Sequence, residues 1–218
     1  NDGTFNNNTS GQINIDRSTF SALLNNDNAV VFNNAGTITI GSIAESVGLH
    51  GVLNESTFNN NAGAVIHINR STLSAILNNL QVTSIFNNAG AINIGATAEV
   101  GLRGIWNKNE FNNNGAGLIN MDRSTNSGIW NNIGTFTNHA TINIGGTITV
   151  GEYGIYNEAP FTNNGSINID RSTFNGILNA NLLNNSATIT MGAESSPGLR
   201  GIWNDGTVNN TAGGTIKI

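Results

Sequence analysis

The chain has 218 residues, of which only 10% are charged while 43 are asparagine, and its formal net charge is −5. Soluble domains carry roughly 25% charged residues. The eight lysines and arginines are scattered, which argues against a nucleic-acid-binding surface. No apolar run approaches the roughly 18 residues of a membrane span, and the absence of cysteine excludes disulfides and thiolate metal sites.

The first segment of each repeat is an apolar residue, usually phenylalanine, followed two positions later by asparagine. The pattern occurs nine times, from Phe5 to Val208, at intervals of 22 to 28 residues. A nearly fixed period of this size predicts a stacked repeat architecture. The asparagines of this set are Asn7, Asn34, Asn60, Asn88, Asn113, Asn138, Asn163, Asn185 and Asn210.

The second and third segments complete a coil of about 25 residues. The second alternates isoleucine with another residue, as at Ile38 and Ile40, and alternation with period two predicts a strand whose isoleucines point inward and stack from coil to coil. The third has the form of Gly104-Ile105-Trp106-Asn107, and glycine and asparagine supply the turns between segments. We therefore predict an all-β fold, a parallel β-helix (β-solenoid) of eight to nine coils that spans residues 1–218 as a single domain. Its winding should be right-handed, as parallel crossovers nearly always are.

A longer period is superimposed on the coil. In odd coils the alternating segment is followed by aspartate or asparagine and then arginine, whereas in even coils it is followed by glycine. These positions are Asp16-Arg17, Asn69-Arg70, Asp122-Arg123 and Asp170-Arg171 in odd coils, and Gly41, Gly95, Gly145 and Gly192 in even coils. The repeating unit is thus two coils, about 50 residues, and the acidic and basic neighbours suggest a turn with surface ion pairs.

Two asparagine columns should run along the inside of the solenoid. The asparagine of the first segment shares its parity with the phenylalanine and should point inward. A second set ends the third segment and comprises Asn25, Asn54, Asn78, Asn107, Asn131, Asn157, Asn179 and Asn204. Buried amides must be hydrogen-bonded, and stacked asparagines can bond to one another along the axis. We predict structural ladders rather than a ligand groove, because every coil carries them.

A bulky apolar column should point outward from the third segment. It consists of Leu24, Leu53, Leu77, Trp106, Trp130, Tyr156, Leu178 and Trp203. An exposed apolar stripe commonly marks an interface. Three interpretations are open: packing against another rod, cover by the protein's own loops or flanking domains, or a platform on which sugar rings stack.

Catalytic, metal and cofactor sites are not predicted. The acids Asp16, Asp122 and Asp170 follow the repeat, whereas an enzyme's acids and bases interrupt it locally. The three histidines, His50, His67 and His139, have no ligand spacing. A regular threonine array of the kind that binds ice is broken on the alternating segment by His67 and by asparagines. We expect no enzyme, no metal and no cofactor.

The chain resembles the Asn/Gly/Thr-rich β-helix repeats of large secreted bacterial surface proteins. These include filamentous-haemagglutinin-type adhesins, autotransporter passengers and Bacteroidota adhesins. The residues that carry the resemblance are the segments 32–40 and 201–207. It implies an extracellular or cell-surface location and a structural or adhesive role, with further copies of the chain as the main partner and a cell-surface glycan as the alternative. Since neither end carries an amphipathic cap, we expect a segment of a longer solenoid or a fibre subunit.

Overall fold

In a computed structural model, the protein is a parallel β-solenoid, as the repeat predicted. The structure describes residues 1–26, 29–43, 46–81 and 83–218. These residues form 26 strands, numbered in chain order, in three parallel sheets and contain no helix, so none that could cross a membrane. Each of the first eight coils contributes one strand to every sheet, and a partial ninth coil follows.

The first sheet contains the phenylalanine segments. Its strands are β1 (Phe5–Asn7), β4 (Val31–Asn34), β7 (Thr57–Asn60), β10 (Ile85–Asn88), β13 (Glu110–Asn113), β16 (Thr135–Asn138), β19 (Phe161–Asn163), β22 (Leu182–Asn185) and β25 (Thr207–Asn210). Phenylalanine lies over phenylalanine from Phe5 to Phe161, with ring centroids 4.7–4.8 Å apart. This spacing matches the strand separation in a sheet, about 4.8 Å, so the backbone register stacks the rings.

The second sheet contains the alternating segments. Its strands are β2 (Gln12–Ile15), β5 (Thr37–Ile40), β8 (Val65–Ile68), β11 (Ala91–Ile94), β14 (Leu118–Met121), β17 (Thr141–Ile144), β20 (Ser166–Ile169), β23 (Thr188–Met191) and β26 (Thr215–Lys217). The isoleucine and methionine side chains from Ile38 to Met191 are buried, and the residues between them are partly or fully exposed. The predicted inward column of the second segment is therefore confirmed.

The third sheet contains the segments that end in the second asparagine set. Its strands are β3 (Ser21–Asn25), β6 (His50–Asn54), β9 (Ser74–Asn78), β12 (Arg103–Asn107), β15 (Ser127–Asn131), β18 (Tyr153–Asn157), β21 (Asn175–Asn179) and β24 (Arg200–Asn204). The second position of each strand is glycine or alanine. At Gly104 a Cβ would lie 2.6 Å from both the Met121 sulfur and the Gly128 carbonyl oxygen, so only a minimal side chain fits there.

The two-coil repeat has a structural cause in the loops between the second and third sheets. Each odd-coil acid or amide accepts hydrogen bonds from backbone amides of the even coil above. Asp122 Oδ1, for example, accepts from the Thr147 and Ile148 amides at 3.2 and 3.1 Å. Asn69 does the same for Thr97 and Ala98.

The arginine of the next odd coil holds the same loop from above. Arg70 and Arg123 each donate from Nη1 at 2.6 Å to the carbonyl of the glycine one coil below, Gly41 and Gly95 respectively. Arg171 donates to Gly145 in the same way, at 3.0 Å. The predicted turn is present, and in the described residues the hydrogen bonds of these three arginines go to backbone carbonyls rather than to aspartate. The repeat alternates because odd coils supply the aspartate or asparagine and arginine side chains, which we call the clamp. Even coils supply the loop that these side chains bind.

Candidate functional site: the asparagine ladders and the third-sheet surface

Both predicted asparagine ladders are present and continuous. In the first ladder, the Nδ2 of each asparagine from Asn7 to Asn185 donates to the Oδ1 of the equivalent asparagine one coil further along, at 2.7–2.8 Å. The second ladder does the same up to Asn204, at 2.7–2.9 Å. Most of the side chains are fully buried, whereas Asn204 and Asn210, in the last coils described, are exposed.

The ladders also close the corners between sheets. The second amide hydrogen of Asn78 donates to the Glu110 carbonyl at 2.8 Å, and that of Asn113 donates to the Thr141 carbonyl at 3.2 Å. Each of these two amides thus donates twice to residues about one turn further along, once to an asparagine side chain and once to the first residue of a strand. This arrangement satisfies both donors of a buried amide, which is required where water has no access.

Asn1 and two outer ladders of asparagines were missed by the sequence analysis. Asn1 is the first member of the second ladder, because its Nδ2 donates to Asn25 Oδ1 at 2.9 Å. Outer ladders lie on the solvent side of the first sheet, from Asn6 to Asn112, and of the second sheet, from Asn93 to Asn168. Their bonds run in the opposite sense, from the later coil to the earlier one. The sequence signal was present in the repeated Asn-Asn of the first segment.

The third sheet presents the predicted outward column, aligned strand by strand. The register pairs Leu24 with Leu53, Leu53 with Leu77, and so on to Trp203. Leu24 and Trp203 are exposed, and Trp106, Trp130, Tyr156 and Leu178 are half-buried. Leu53 and Leu77, at 5% and 6% exposure, are buried, so the column is not an open stripe along its whole length. We call the outward side of these eight strands, with the residues next to them, the third-sheet surface.

Aromatic and cationic side chains meet at the centre of the third-sheet surface. The rings of Trp106 and Trp130 are stacked with centroids 5.1 Å apart, and Tyr156 follows at 5.9 Å. The Arg103 guanidinium lies over both indoles, 4.4 and 4.1 Å from their centroids, and the Lys108 ammonium lies 4.1 Å from that of Trp106. Cation–π contacts of this kind stabilise by about 0.5–2 kcal/mol each. They also occupy ring faces on which a sugar would have to stack.

The Glu158 carboxylate accepts three hydrogen bonds on the neighbouring part of the third-sheet surface. Glu158 accepts hydrogen bonds from Trp130 Nε1 at 2.6 Å, from the Tyr156 hydroxyl at 2.6 Å and from Asn132 Nδ2 at 2.8 Å. The hydrogen bond to Glu158, followed by burial and the nearby negative charge, raises the pKa of Tyr156 to about 12. The phenol therefore stays protonated and fixes the carboxylate in place.

A buried histidine lies at the edge of the same surface. His50 is 4% exposed and its Nδ1 is 2.6 Å from the Ser74 hydroxyl oxygen. Burial, together with the positive charges of Lys108 and Arg103, lowers the pKa of His50 to about 4. The side chain is therefore neutral at physiological pH, which a buried group beside two cations requires.

The acidic side chains of the second-sheet groove take part in structural hydrogen bonds. Within the described ranges, no group of three or more histidine, aspartate or glutamate side chains could hold a metal ion. A shallow groove of about 630 Å³ on the second sheet is lined by Asp122, Asp170 and Glu194, among others. Two of these acids, Asp122 and Asp170, already accept hydrogen bonds from backbone amides of the neighbouring coil.

Comparison of the chain with protein-family models, with curated proteins and with solved structures finds no match.

Proposed function

We propose that this chain is a structural β-solenoid of an extracellular bacterial fibre or adhesin, in which coils stack end to end. The observation that supports the proposal is the continuity of every column. In the part of the chain that the structure describes, both inner ladders and the apolar columns of the first and second sheets pass from coil to coil without interruption. In a scaffold of this kind each repeat contacts only its neighbours, which suits an extended structural element.

The outermost coils present complementary groups. In the first coil, Phe5 is 43% exposed and Ile13 is half-buried, whereas their equivalents in the second to eighth coils are buried. At the other end Asn204 and Asn210 are exposed, and each donates only to a carbonyl of its own turn, leaving one amide hydrogen free. A further coil, from the same chain or from a second copy, would continue both ladders there.

Electron microscopy of the purified chain at neutral pH tests this proposal. We expect filaments whose diffraction along the axis shows a repeat near 4.8 Å, the strand spacing. The double variant Val208→Lys/Ile216→Lys should abolish them, because it places charge on the apolar columns of the last coils. Lys217→Glu, which changes an exposed residue of the same strand β26, is the matched control and should keep them.

A monodisperse rod of about 40 Å, nine coils at the strand spacing, with no association at high concentration would contradict end-to-end stacking by this chain. The cellular location needs its own measurement. Antibody labelling of intact producing cells should equal labelling of permeabilised cells if the protein is at the surface.

Carbohydrate binding is the alternative role. Trp203 offers the most exposed ring of the column, at 44%, although the Arg200 guanidinium lies 4.8 Å from its centroid. Loss of glycan binding on Trp203→Ser, with unchanged filaments, would favour that role over the structural one.

A further inference from the structure

The corners between the first and second sheets include four hydrogen-bonded turns in the described chain. They lie in the first, third, fifth and ninth coils, and in each the amide of the fourth residue donates to the carbonyl of the first at 2.8–3.0 Å. The residue with positive φ is the third of the turn in three of them, at Ser10, Gly63 and Gly213. In the fifth coil it is the second, Gly115, with φ of +58°. The fifth-coil turn, residues 114–117, is therefore the only one of the four that begins with Asn-Gly.

An Asn-Gly sequence can react with itself. The glycine amide nitrogen attacks the asparagine Cγ, the new C–N bond closes a five-membered imide, and the side-chain nitrogen leaves as ammonia with the proton that the glycine nitrogen loses. Water then adds to either imide carbonyl and opens the ring, which gives aspartate or isoaspartate. Glycine favours the attack because it has no side chain to crowd its nitrogen. The reaction also requires a glycine nitrogen and an asparagine side chain that are not held by other partners.

The pair in the fifth-coil turn meets these requirements. Asn114 is half-buried and Gly115 is exposed, and a Cβ on Gly115 would have no atom within 4 Å. In the part of the chain that the structure describes, neither the Asn114 side chain nor the Gly115 nitrogen makes a hydrogen bond. Both reacting groups are thus free, and solvent reaches the turn.

The fold holds the other two Asn-Gly pairs of the chain. Asn164 Oδ1 accepts a hydrogen bond from the Ser186 hydroxyl at 2.6 Å, and the Gly165 nitrogen donates to Asn163 Oδ1 at 3.3 Å. Asn175 begins strand β21, is 1% exposed and is paired in register with the strands on both sides. Three identical dipeptides therefore stand in three different environments, and one of them leaves the reacting atoms unrestrained.

We propose that Asn114 is a site of spontaneous deamidation in the folded protein and that the fold protects Asn164 and Asn175. Conversion replaces a neutral amide by a carboxylate beside the ladder residue Asn113, which makes the formal net charge of −5 one unit more negative. The isoaspartate product also adds one methylene to the main chain of the turn. This modification is independent of the proposed structural role of the solenoid.

Peptide mapping by mass spectrometry tests the site in the wild-type protein. The folded protein is aged at mildly alkaline pH in water enriched in the heavy oxygen isotope, which marks conversion during ageing because ring opening takes one oxygen from water. Asn114 should convert about tenfold or more faster than Asn164 and Asn175, since hydrogen bonds at those two positions must break first. In urea the three rates should converge, because only the shared local sequence then remains.

Asn114→Gln is the matched variant, since its longer side chain cannot close the five-membered ring. It should abolish the fast conversion and leave the slow ones unchanged. Equal rates at Asn114 and Asn164 in the folded protein would overturn the proposal. So would conversion of Asn114 in urea alone, which would show that the turn keeps the Gly115 nitrogen away from Cγ. None of these measurements requires filaments, so the deamidation site and the end-to-end role can fail separately.

Discussion

At the scale of the residue, the inner asparagines hold neighbouring coils together through side-chain hydrogen bonds. A serine or threonine hydroxyl has one hydrogen to donate, whereas an amide has two donors and an acceptor. Asn113 uses all three: it accepts from Asn88 and donates to Asn138 and to the Thr141 carbonyl. Replacing such a residue breaks contacts to the coil below and to the coil above.

Asn113→Ala should lower the free energy of unfolding by about 2–5 kcal/mol, because it leaves the Asn88 donor and the Asn138 acceptor buried without partners. Urea unfolding followed by circular dichroism measures the change. Asn112→Ala is the matched control, since Asn112 is the neighbouring asparagine of the same strand and points outward. It should cost no more than about 0.5 kcal/mol. Equal effects at the two positions would refute the buried-ladder explanation.

His50 gives the fold a pH dependence. Its folded pKa of about 4 lies below the ordinary value of 6.5, so between these values the unfolded chain binds a proton that the folded chain does not. Stability should therefore fall as the pH drops through this window, by up to about 3 kcal/mol at pH 4. His50→Gln should remove that part of the dependence in pH-resolved urea titrations. His139→Gln, at an exposed site, should leave it in place; the same loss in both variants would contradict the assignment.

Much of the residue-level pattern could be predicted from sequence, because alternation decides which side chains point inward. All seventeen predicted ladder asparagines lie where parity placed them. Parity does not tell what covers an outward side chain, so the burial of Leu53 and Leu77 was not foreseen. It also says nothing about bonds between solvent-facing residues, which is why the outer ladders were missed.

At the scale of the element, the loops after the second sheet decide how the coils alternate. Gly145 has φ of +68°, and a Cβ on it would lie 2.5 Å from the Arg171 carbonyl oxygen. A Cβ on its neighbour Gly146 would have no atom within 4 Å. The sequence predicted the alternation but not the backbone clamp, since the hydrogen bonds join residues about 25 positions apart.

Gly145→Ala should destabilise the fold by about 1–3 kcal/mol, because it combines left-handed backbone with a clash against the next coil. Gly146→Ala should be neutral or slightly stabilising, since the added methyl group meets nothing and restricts the unfolded chain. Thermal unfolding of both variants makes the comparison. Similar losses at the two glycines would show that the clamp does not require this backbone conformation.

At the scale of the whole molecule, the three faces have different characters although one repeat builds them all. Two faces carry outer asparagine ladders along part of their length, and the third carries apolar and aromatic side chains with charges at its margins. The sequence predicted the column but not its cation–π contacts, because Arg103 and Trp130 become neighbours only when the coils are stacked in register.

The inner and outer ladders point in opposite directions and differ in number, so the rod should carry an electric dipole moment along its axis. Sixteen inner amide bonds point toward the last coil, and eight asparagine bonds on the outer faces point back. Each amide has a dipole of about 3.5 D, so a single rod keeps a net axial moment that grows with its length. Such a rod should therefore align in an electric field.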